Sequence, residues 1–309
     1  MGPARRQGQD RIRDGDPQVA VEERLESAWR SEGWLHLRGF FSAEEAARIN
    51  LEIDELWRRR PGHVTVDDLD QGQRCRMSRL DPVQRAHRVK INDLYLTSAA
   101  VRRMLLDGRL TGIVRAILDD QPVLCNSLNL ERSSAQEYHA DSLYMTPPTP
   151  NQMVACWTAL EDVQPGSGPL RLYPKSHQLP PFVFSDGSRH AIPAELPRWA
   201  GHMQRELDER SMSPHVVHAK VGDVVLWHAD LLHGAEEIRE AGLTRRSLVA
   251  HYYGLADCVR SGYRLGHQGD GYWLKRRPQP VGLASRVLSG IERRLWRVRA
   301  AWASLRGAA

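Results

Sequence analysis

The spacing of apolar and polar residues changes character about a third of the way along the chain. Up to Asp119 the apolar positions mostly recur at helical intervals. Residues 21–29 predict a short amphipathic helix, and after Gly33 the alternating run Trp34-Leu35-His36-Leu37-Arg38 predicts a strand. Ser42-Ala43-Glu44-Glu45 has the form of a capping box, in which a serine oxygen and a glutamate carboxylate satisfy backbone N–H groups that a helix start leaves open. Ile49, Ile53, Leu56 and Trp57 carry that helix on, and Pro61 is expected to end it. Residues 62–80 are polar and irregular, whereas 98–119 have the spacing of one or two helices. From Pro122 the pattern becomes short β-prone runs separated by turns, at 123–130, 153–160, 170–173, 216–218, 224–228 and 247–253. Such a series predicts a mainly β protein, a sandwich or barrel, with helices added at its N-terminal side.

Three segments fall outside this series. Residues 1–20, with Gly, Pro, Gln and paired charges but no periodicity, are expected to form a flexible tail. Residues 178–214, rich in Pro, Gly, Ser, Arg and His, interrupt the strands for longer than a plain connection needs, and are expected to be a lid loop over the mouth of the site. Residues 279–309 place Ala284, Leu288, Ile291, Leu295 and Leu305 on one face of an expected basic amphipathic helix, which would dock on its own domain, a sister subunit or an anionic surface. The domain between, 21–278, is read as one unit.

Composition narrows the classes. With 41% hydrophobic and 26% charged residues the chain can bury a substantial core. The net charge of +5 suggests nucleic acid, but residues 281–309 hold six Arg against one Glu, so the remainder is close to neutral and no recognition motif accompanies the charge. Nucleic-acid binding is not expected. Cys75, Cys125, Cys156 and Cys258 lie far apart without zinc-like spacing, which suits reduced thiols, and neither a signal peptide nor a membrane span is visible. A cytoplasmic location is expected.

The candidate chemistry begins with His139-Ala140-Asp141 at the end of a β-prone run and a distant His233. Two imidazoles and one carboxylate can occupy one face of an Fe(II) octahedron and leave the other positions open for cosubstrate and O₂. On an extended segment the two residues of an H-x-D pair point the same way. A second copy, His228-Ala229-Asp230, is a rival. The first is favoured because ligands at 228, 230 and 233 would crowd one tight segment. Past His233, Arg245-Arg246-Ser247 opens a strand in which Arg245 and Ser247 share a face, and a guanidinium fork with a hydroxyl suits the distal carboxylate of 2-oxoglutarate. Asn129, Lys90 and Gln136 are polar residues near the same segments, without an assigned role.

The segments Met153-Val154-Ala155-Cys156-Trp157-Thr158-Ala159-Leu160-Glu161-Asp162, Gly166-Ser167-Gly168-Pro169-Leu170-Arg171 and Pro174-Lys175-Ser176-His177, together with Glu32-Gly33-Trp34 and Phe40-Phe41-Ser42, resemble the phytanoyl-CoA dioxygenase family over roughly residues 32–253. The resemblance implies a double-stranded β-helix, a jelly-roll barrel with buttressing helices. It implies iron ligation by His139, Asp141 and His233, Arg245 on the cosubstrate's distal carboxylate, Trp157 near the cosubstrate, and Ser247 as a weaker contact. Lys175 and Ala235 depart from the family's usual Gly and Ser, and Asp141 argues against halogenation, for which a small residue replaces the carboxylate. The implied reaction consumes 2-oxoglutarate and O₂, releases succinate and CO₂, and oxidises a C–H bond of a small-molecule substrate. A non-catalytic jelly-roll binding protein and a cupin-type metalloenzyme without 2-oxoglutarate are the competing readings.

Overall fold

The computed structural model describes residues 17–269 and 271–282. Helix α1 (Pro17–Glu32) begins earlier and ends later than the sequence pattern suggested, so 17–20 are helical and the rest of the expected tail lies outside the described residues. Strand β1 (Trp34–Leu37) follows. Helix α2 (Ala43–Arg59) has the expected capping box at Ser42, buries Ala46, Ile49, Ile53 and Trp57 along one side, and ends at Arg60 in the left-handed conformation, just before Pro61.

The stretch expected to be irregular holds an antiparallel hairpin, β2 (Thr65–Asp68) and β3 (Gln73–Arg76), with β4 (Val89–Asn92) pairing on the other side of β2. Helices α3 (Ala99–Leu105) and α4 (Gly108–Leu118) lead into β5 (Pro122–Leu130), β6 (Met153–Ala159) and β7 (Leu170–Leu172). The segment 178–214 differs from a loop in containing α5 (Leu196–Glu209), whose Trp199, Met203 and Leu207 are buried at spacings of four. Then come β8 (His215–Val216), β9 (Val224–His228), β10 (His233–Ala235), β11 (Ser247–Gly254), α6 (Leu255–Arg260), and the hairpin β12 (Leu265–Gln268) and β13 (Gly271–Leu274). Residues 279–282 are not helical, and the remainder of the expected C-terminal helix lies outside the described residues.

The strands form two sheets. The larger runs β1-β9-β6-β11-β5-β4-β2-β3, with β13 joining β5 in parallel, and the smaller runs β10-β7-β8. Because side chains alternate, the central strands β6, β9 and β11 of the large sheet serve two cores. Val154, Cys156, Leu226, Leu248, Ala250 and Tyr252 face outward and pack with α1 to α4. Ala155, Trp157, Val225 and Trp227 face inward against Leu170, Leu172 and Val217 on or beside the small sheet. Two facing sheets with helices buttressing one of them make a jelly-roll, the double-stranded β-helix the sequence implied. The turn into β9 depends on Gly222 (φ +84°), where an added Cβ would fall 1.9 Å from the Phe41 carbonyl oxygen. Among the described residues no helix is long and apolar enough to cross a membrane.

Candidate active site

His139 and His233 meet by a backbone exchange: His139 N–H donates to the His233 carbonyl (2.8 Å) and His233 N–H to the His139 carbonyl (3.0 Å). His139 is thus held as an isolated bridge, and Asp141 then opens a single 3₁₀ turn rather than continuing an extended run. Gly234 makes the approach possible, because a Cβ there would sit 2.9 Å from the backbone of residues 136–138.

Each imidazole is oriented from behind. Nδ1 of His139 lies 3.0 Å from the Glu137 carbonyl and Nδ1 of His233 lies 3.0 Å from the Leu231 carbonyl. A carbonyl can only accept, so Nδ1 carries the proton in both rings and both Nε2 lone pairs are free. Those nitrogens stand 3.8 Å (His139) and 3.6 Å (His233) from Asp141 Oδ1. The three ligand atoms lie within 4.8 Å of one another. Cis ligands of a metal with bonds near ~2.1 Å are about 3 Å apart, so a small inward movement closes the set around an ion.

The other carboxylate oxygen, Oδ2, accepts a hydrogen bond from Trp227 Nε1 (2.9 Å) and lies 3.2 Å from His251 Nε2. Burial alone would raise the Asp141 pKa, but the surrounding histidines, His233 first, hold it well below the usual carboxylate range. Burial and the neighbouring His233 push the His139 imidazole down to about 4. At neutral pH Asp141 is therefore ionised and His139 unprotonated, the states in which they bind a cation. Sequence reasoning did not single out Trp227 or His251. Alternation from Arg245 through Ser247 and Val249 does place His251 on the same face, which was the available signal.

One strand pair further along the inner wall lies a second polar group. Arg245 is 4% exposed; it donates to the Gly168 carbonyl (3.0 Å), and its guanidinium carbon stands 5.7 Å from the centre of the Trp157 ring. Burial pushes its pKa down to about 10. Among the described residues no carboxylate pairs with it, and Arg245 Nε, Trp157 Nε1 and Ser247 Oγ are all buried without a partner. A buried cation beside orphaned donors is costly unless an anion fills the space. Trp157 sits opposite Val249 while Ala155 sits opposite His251, so this pocket is offset from the Asp141 level by two residues of strand, about 7 Å. That offset suits a short dicarboxylate reaching from the triad to Arg245.

The rival copy does not join the triad. His228 pairs with Val154, so it faces away from Trp227, and its Nδ1 accepts from the Asp230 N–H (3.0 Å) beside His177. Asn129 Nδ2 donates to the Ser247 carbonyl, Gln136 is exposed, and Lys90 pairs with Asp67. The segment 178–214 packs Phe184, Trp199, Met203 and Leu207 against Ala140, Leu143 and Leu232. Ala140 and Leu232 adjoin the candidate ligands in sequence. A cavity of about 50 Å³ beneath this segment is lined by Ala140, Phe182 and Trp199, and by none of the three candidate ligands.

The phytanoyl-CoA dioxygenase (PhyH) family model matches residues 29–247. Peroxisomal phytanoyl-CoA dioxygenase of Rattus norvegicus is 30% identical over 135 residues, 41% of this chain and 36% of that protein. A probable phytanoyl-CoA dioxygenase of Caenorhabditis elegans is 28% identical over 130 residues, 40% of this chain and 38% of that protein. The matched segment thus spans little more than a third of these relatives. Among solved structures, the non-heme alpha ketoglutarate dependent epimerase SnoN from nogalamycin biosynthesis superposes with a TM-score of 0.59 at 21% identity, covering 84% of this chain and 100% of that one. Apo EctD from S. alaskensis superposes with a TM-score of 0.56 at 18% identity, covering 76% and 77%. At such identities the likeness is one of fold. The family match, which runs from α1 through the segments bearing His139, Asp141 and His233 to the first residue of β11, shows that this chain belongs to the phytanoyl-CoA dioxygenase (PhyH) family.

Proposed function

We propose that the protein is an Fe(II)- and 2-oxoglutarate-dependent dioxygenase that hydroxylates an aliphatic C–H bond of a small organic or natural-product-like substrate. The observation that carries this reading is the buried Arg245 guanidinium, without a carboxylate and about one short dicarboxylate away from the His139–Asp141–His233 set. A cupin-type metalloenzyme working without the keto acid has no need of it. Solved structures of the same fold include SnoN in complex with Fe3+, alpha ketoglutarate and nogalamycin RO, and EctD with 2-oxoglutarate and 5-hydroxyectoine.

In this reading His139 and His233 would offer their Nε2 atoms and Asp141 its Oδ1 to the metal, while Trp227 holds Oδ2 by a hydrogen bond, with His251 Nε2 3.2 Å away. Arg245, Trp157 and Ser247 receive the distal carboxylate of 2-oxoglutarate and thereby aim its keto acid end at the metal. Iron and 2-oxoglutarate together with O₂ supply the oxidising chemistry, with succinate and CO₂ released. The segment 178–214, packed behind the ligand-bearing backbone, acts as a lid that keeps water from the reacting centre. Four buried free cysteines suit a reducing cytoplasm.

The test is anaerobic titration of metal-free protein with Fe(II) and then 2-oxoglutarate, following the visible charge-transfer band of keto-acid chelation in wild type and Arg245→Met. A band that needs about 10-fold or more extra 2-oxoglutarate in the variant is expected. Iron binding without any band in wild type would sink the 2-oxoglutarate reading and favour the cupin-type alternative. Once a substrate is found, a product heavier by one oxygen atom separates hydroxylation from epimerisation and ring closure.

A further inference from the structure

The cavity beneath the segment 178–214 lies behind the candidate metal ligands. Ala140 is extended (φ −110°, ψ 138°), so its side chain points away from the side taken by His139, and Leu232 stands in the same relation to His233. Both side chains pack with Trp199 and Met203 of α5, and none of the three candidate ligands lines the cavity. Two contacts tie the segment 178–214 across this gap. The Ala191 N–H donates to the Leu143 carbonyl (2.8 Å), and Thr146 Oγ1 lies 3.2 Å from His190 Nδ1.

Most of the lining is apolar, but it includes two charged side chains, Arg189 and Asp230. They do not pair with each other, and neither has an ion pair or a side-chain hydrogen bond among the described residues. The histidines beside Asp230 bring it no cation at neutral pH, since burial pushes His228 down to about 4 and lowers His177 as well. Two buried hydroxyls also line the space. Ser142 (9% exposed) has no hydrogen-bond partner for its hydroxyl among the described residues. Ser176 (3% exposed) accepts from the Leu232 N–H (2.8 Å), which leaves its own proton to donate. Buried hydroxyls of this kind call for a partner.

A simple anion drawn to Arg189 would meet Asp230, and a simple cation drawn to Asp230 would meet Arg189. A molecule carrying both charges satisfies both. The space of about 50 Å³ is a third of the ~150 Å³ cavity that admits benzene, so it suits an isopropyl-sized group and excludes an aromatic ring. We propose that this cavity binds a short aliphatic α-amino acid as an effector, not as the molecule oxidised. Arg189 and the serine hydroxyls take the carboxylate, Asp230 takes the ammonium, and the side chain lies among Trp199, Met203 and Leu232. The occupant joins the segment 178–214 to Ala140 and Leu232, and so restrains the backbone from which His139, Asp141 and His233 project. Only this effect on iron rests on the oxygenase reading; the binding itself does not.

Binding of L-valine, isovalerate, L-valine methyl ester and L-phenylalanine is measured by calorimetry on the metal-free full chain. Isovalerate lacks the ammonium, the ester lacks the carboxylate, and phenylalanine is too large. L-Valine is expected to bind about tenfold or more tighter than each of the others. Arg189→Gln should abolish the preference over the ester, and Asp230→Asn the preference over isovalerate. Arg189 is exposed, so should Asp230→Asn not fold, Arg189→Gln still reads the charge preference. Anaerobic Fe(II) titration with saturating L-valine is expected to show iron bound about 5-fold or more tighter, and by linkage iron should tighten valine by the same factor. Failure of wild type to bind L-valine, equal binding of the four compounds, or preferences that survive the substitutions overturns the proposal. Unchanged iron affinity, or consumption of L-valine when Fe(II), 2-oxoglutarate and O₂ are supplied, overturns the effector role. If iron does not bind at all, the oxygenase reading fails, and the metal-free arm still decides whether the cavity takes the amino acid.

Discussion

Asp141 divides its two oxygens between two tasks. Oδ1 faces His139 and His233, and Oδ2 is held by Trp227, with His251 3.2 Å away. A carboxylate free to rotate would bind a cation in several ways, so the fixed oxygen selects the orientation in which the other reaches the imidazoles. Trp227→Phe keeps the ring and removes the donor. Anaerobic Fe(II) titration is expected to show affinity lowered about 10- to 100-fold; unchanged affinity would mean that His251 alone orients the carboxylate. Arg245 is the opposite case, a charge buried without compensation. Metal-free Arg245→Met is expected to unfold in urea at a concentration no lower than wild type, because an apolar side chain of similar length replaces an unpaired cation. Marked destabilisation would instead show that the guanidinium is needed by the fold itself.

At the scale of elements, the site depends on one close approach of backbones. The segment carrying His139 pairs with β10 at a single position, and Gly234 leaves no side chain in the gap. Gly234→Ala puts a methyl group 2.9 Å from the main chain of residues 136–138 and should push the two histidines apart. Weakened Fe(II) binding is expected, with far-UV circular dichroism of the metal-free protein close to wild type because both sheets are otherwise intact. Iron binding unaffected by the substitution would mean that the 136–138 segment yields without moving His139. The capping box at Ser42 shows the contrasting situation, an element whose start is decided by four consecutive residues.

Over the whole molecule, an ion-pair network ties the helical layer to the strand start that carries the buried Arg245. Glu131, just after β5, accepts from Arg85 (2.6 and 3.0 Å) and pairs with Arg246 (3.1 Å), while Asp54 on α2 pairs with both arginines. The Arg245 N–H donates to the Glu131 carbonyl (2.9 Å), so the network holds the strand start from which Arg245 projects. Glu131→Ala leaves two guanidinium groups sharing the one remaining acid. Arg85 is a third exposed and solvent screens it, so the cost is set at the low end for a broken partly buried pair, about 2 kcal/mol in urea unfolding. Affinity for 2-oxoglutarate is expected to fall more than affinity for Fe(II), since the network touches the Arg245 side of the site. An equal loss of both would point to general loosening of the barrel.

Several features were decided within short segments and were therefore visible in the sequence. The cap at Ser42, the stop before Pro61, the strands around Met153–Ala159 and Ser247–Gly254, and the common face of Arg245 and Ser247 follow from local hydrogen bonding and from side-chain alternation. The hairpin β2–β3 was hidden for a physical reason. Its inward row, Thr65, Asp67, Arg74 and Arg76, is polar, and Asp68 and Gln73 make the opposite row of Val66 and Cys75 half polar as well, so its sequence lacks the contrast that marks a half-buried strand. Helix α5 was masked by a Pro- and Arg-rich composition around three buried side chains. Local pattern alone could not choose between His139-Ala140-Asp141 and His228-Ala229-Asp230, since both satisfy the same spacing. Tertiary structure made that choice, because His228 lies on the opposite face of β9 from Trp227, and only the first pair meets His233, through the backbone bridge of His139, with Trp227 and His251 behind its carboxylate.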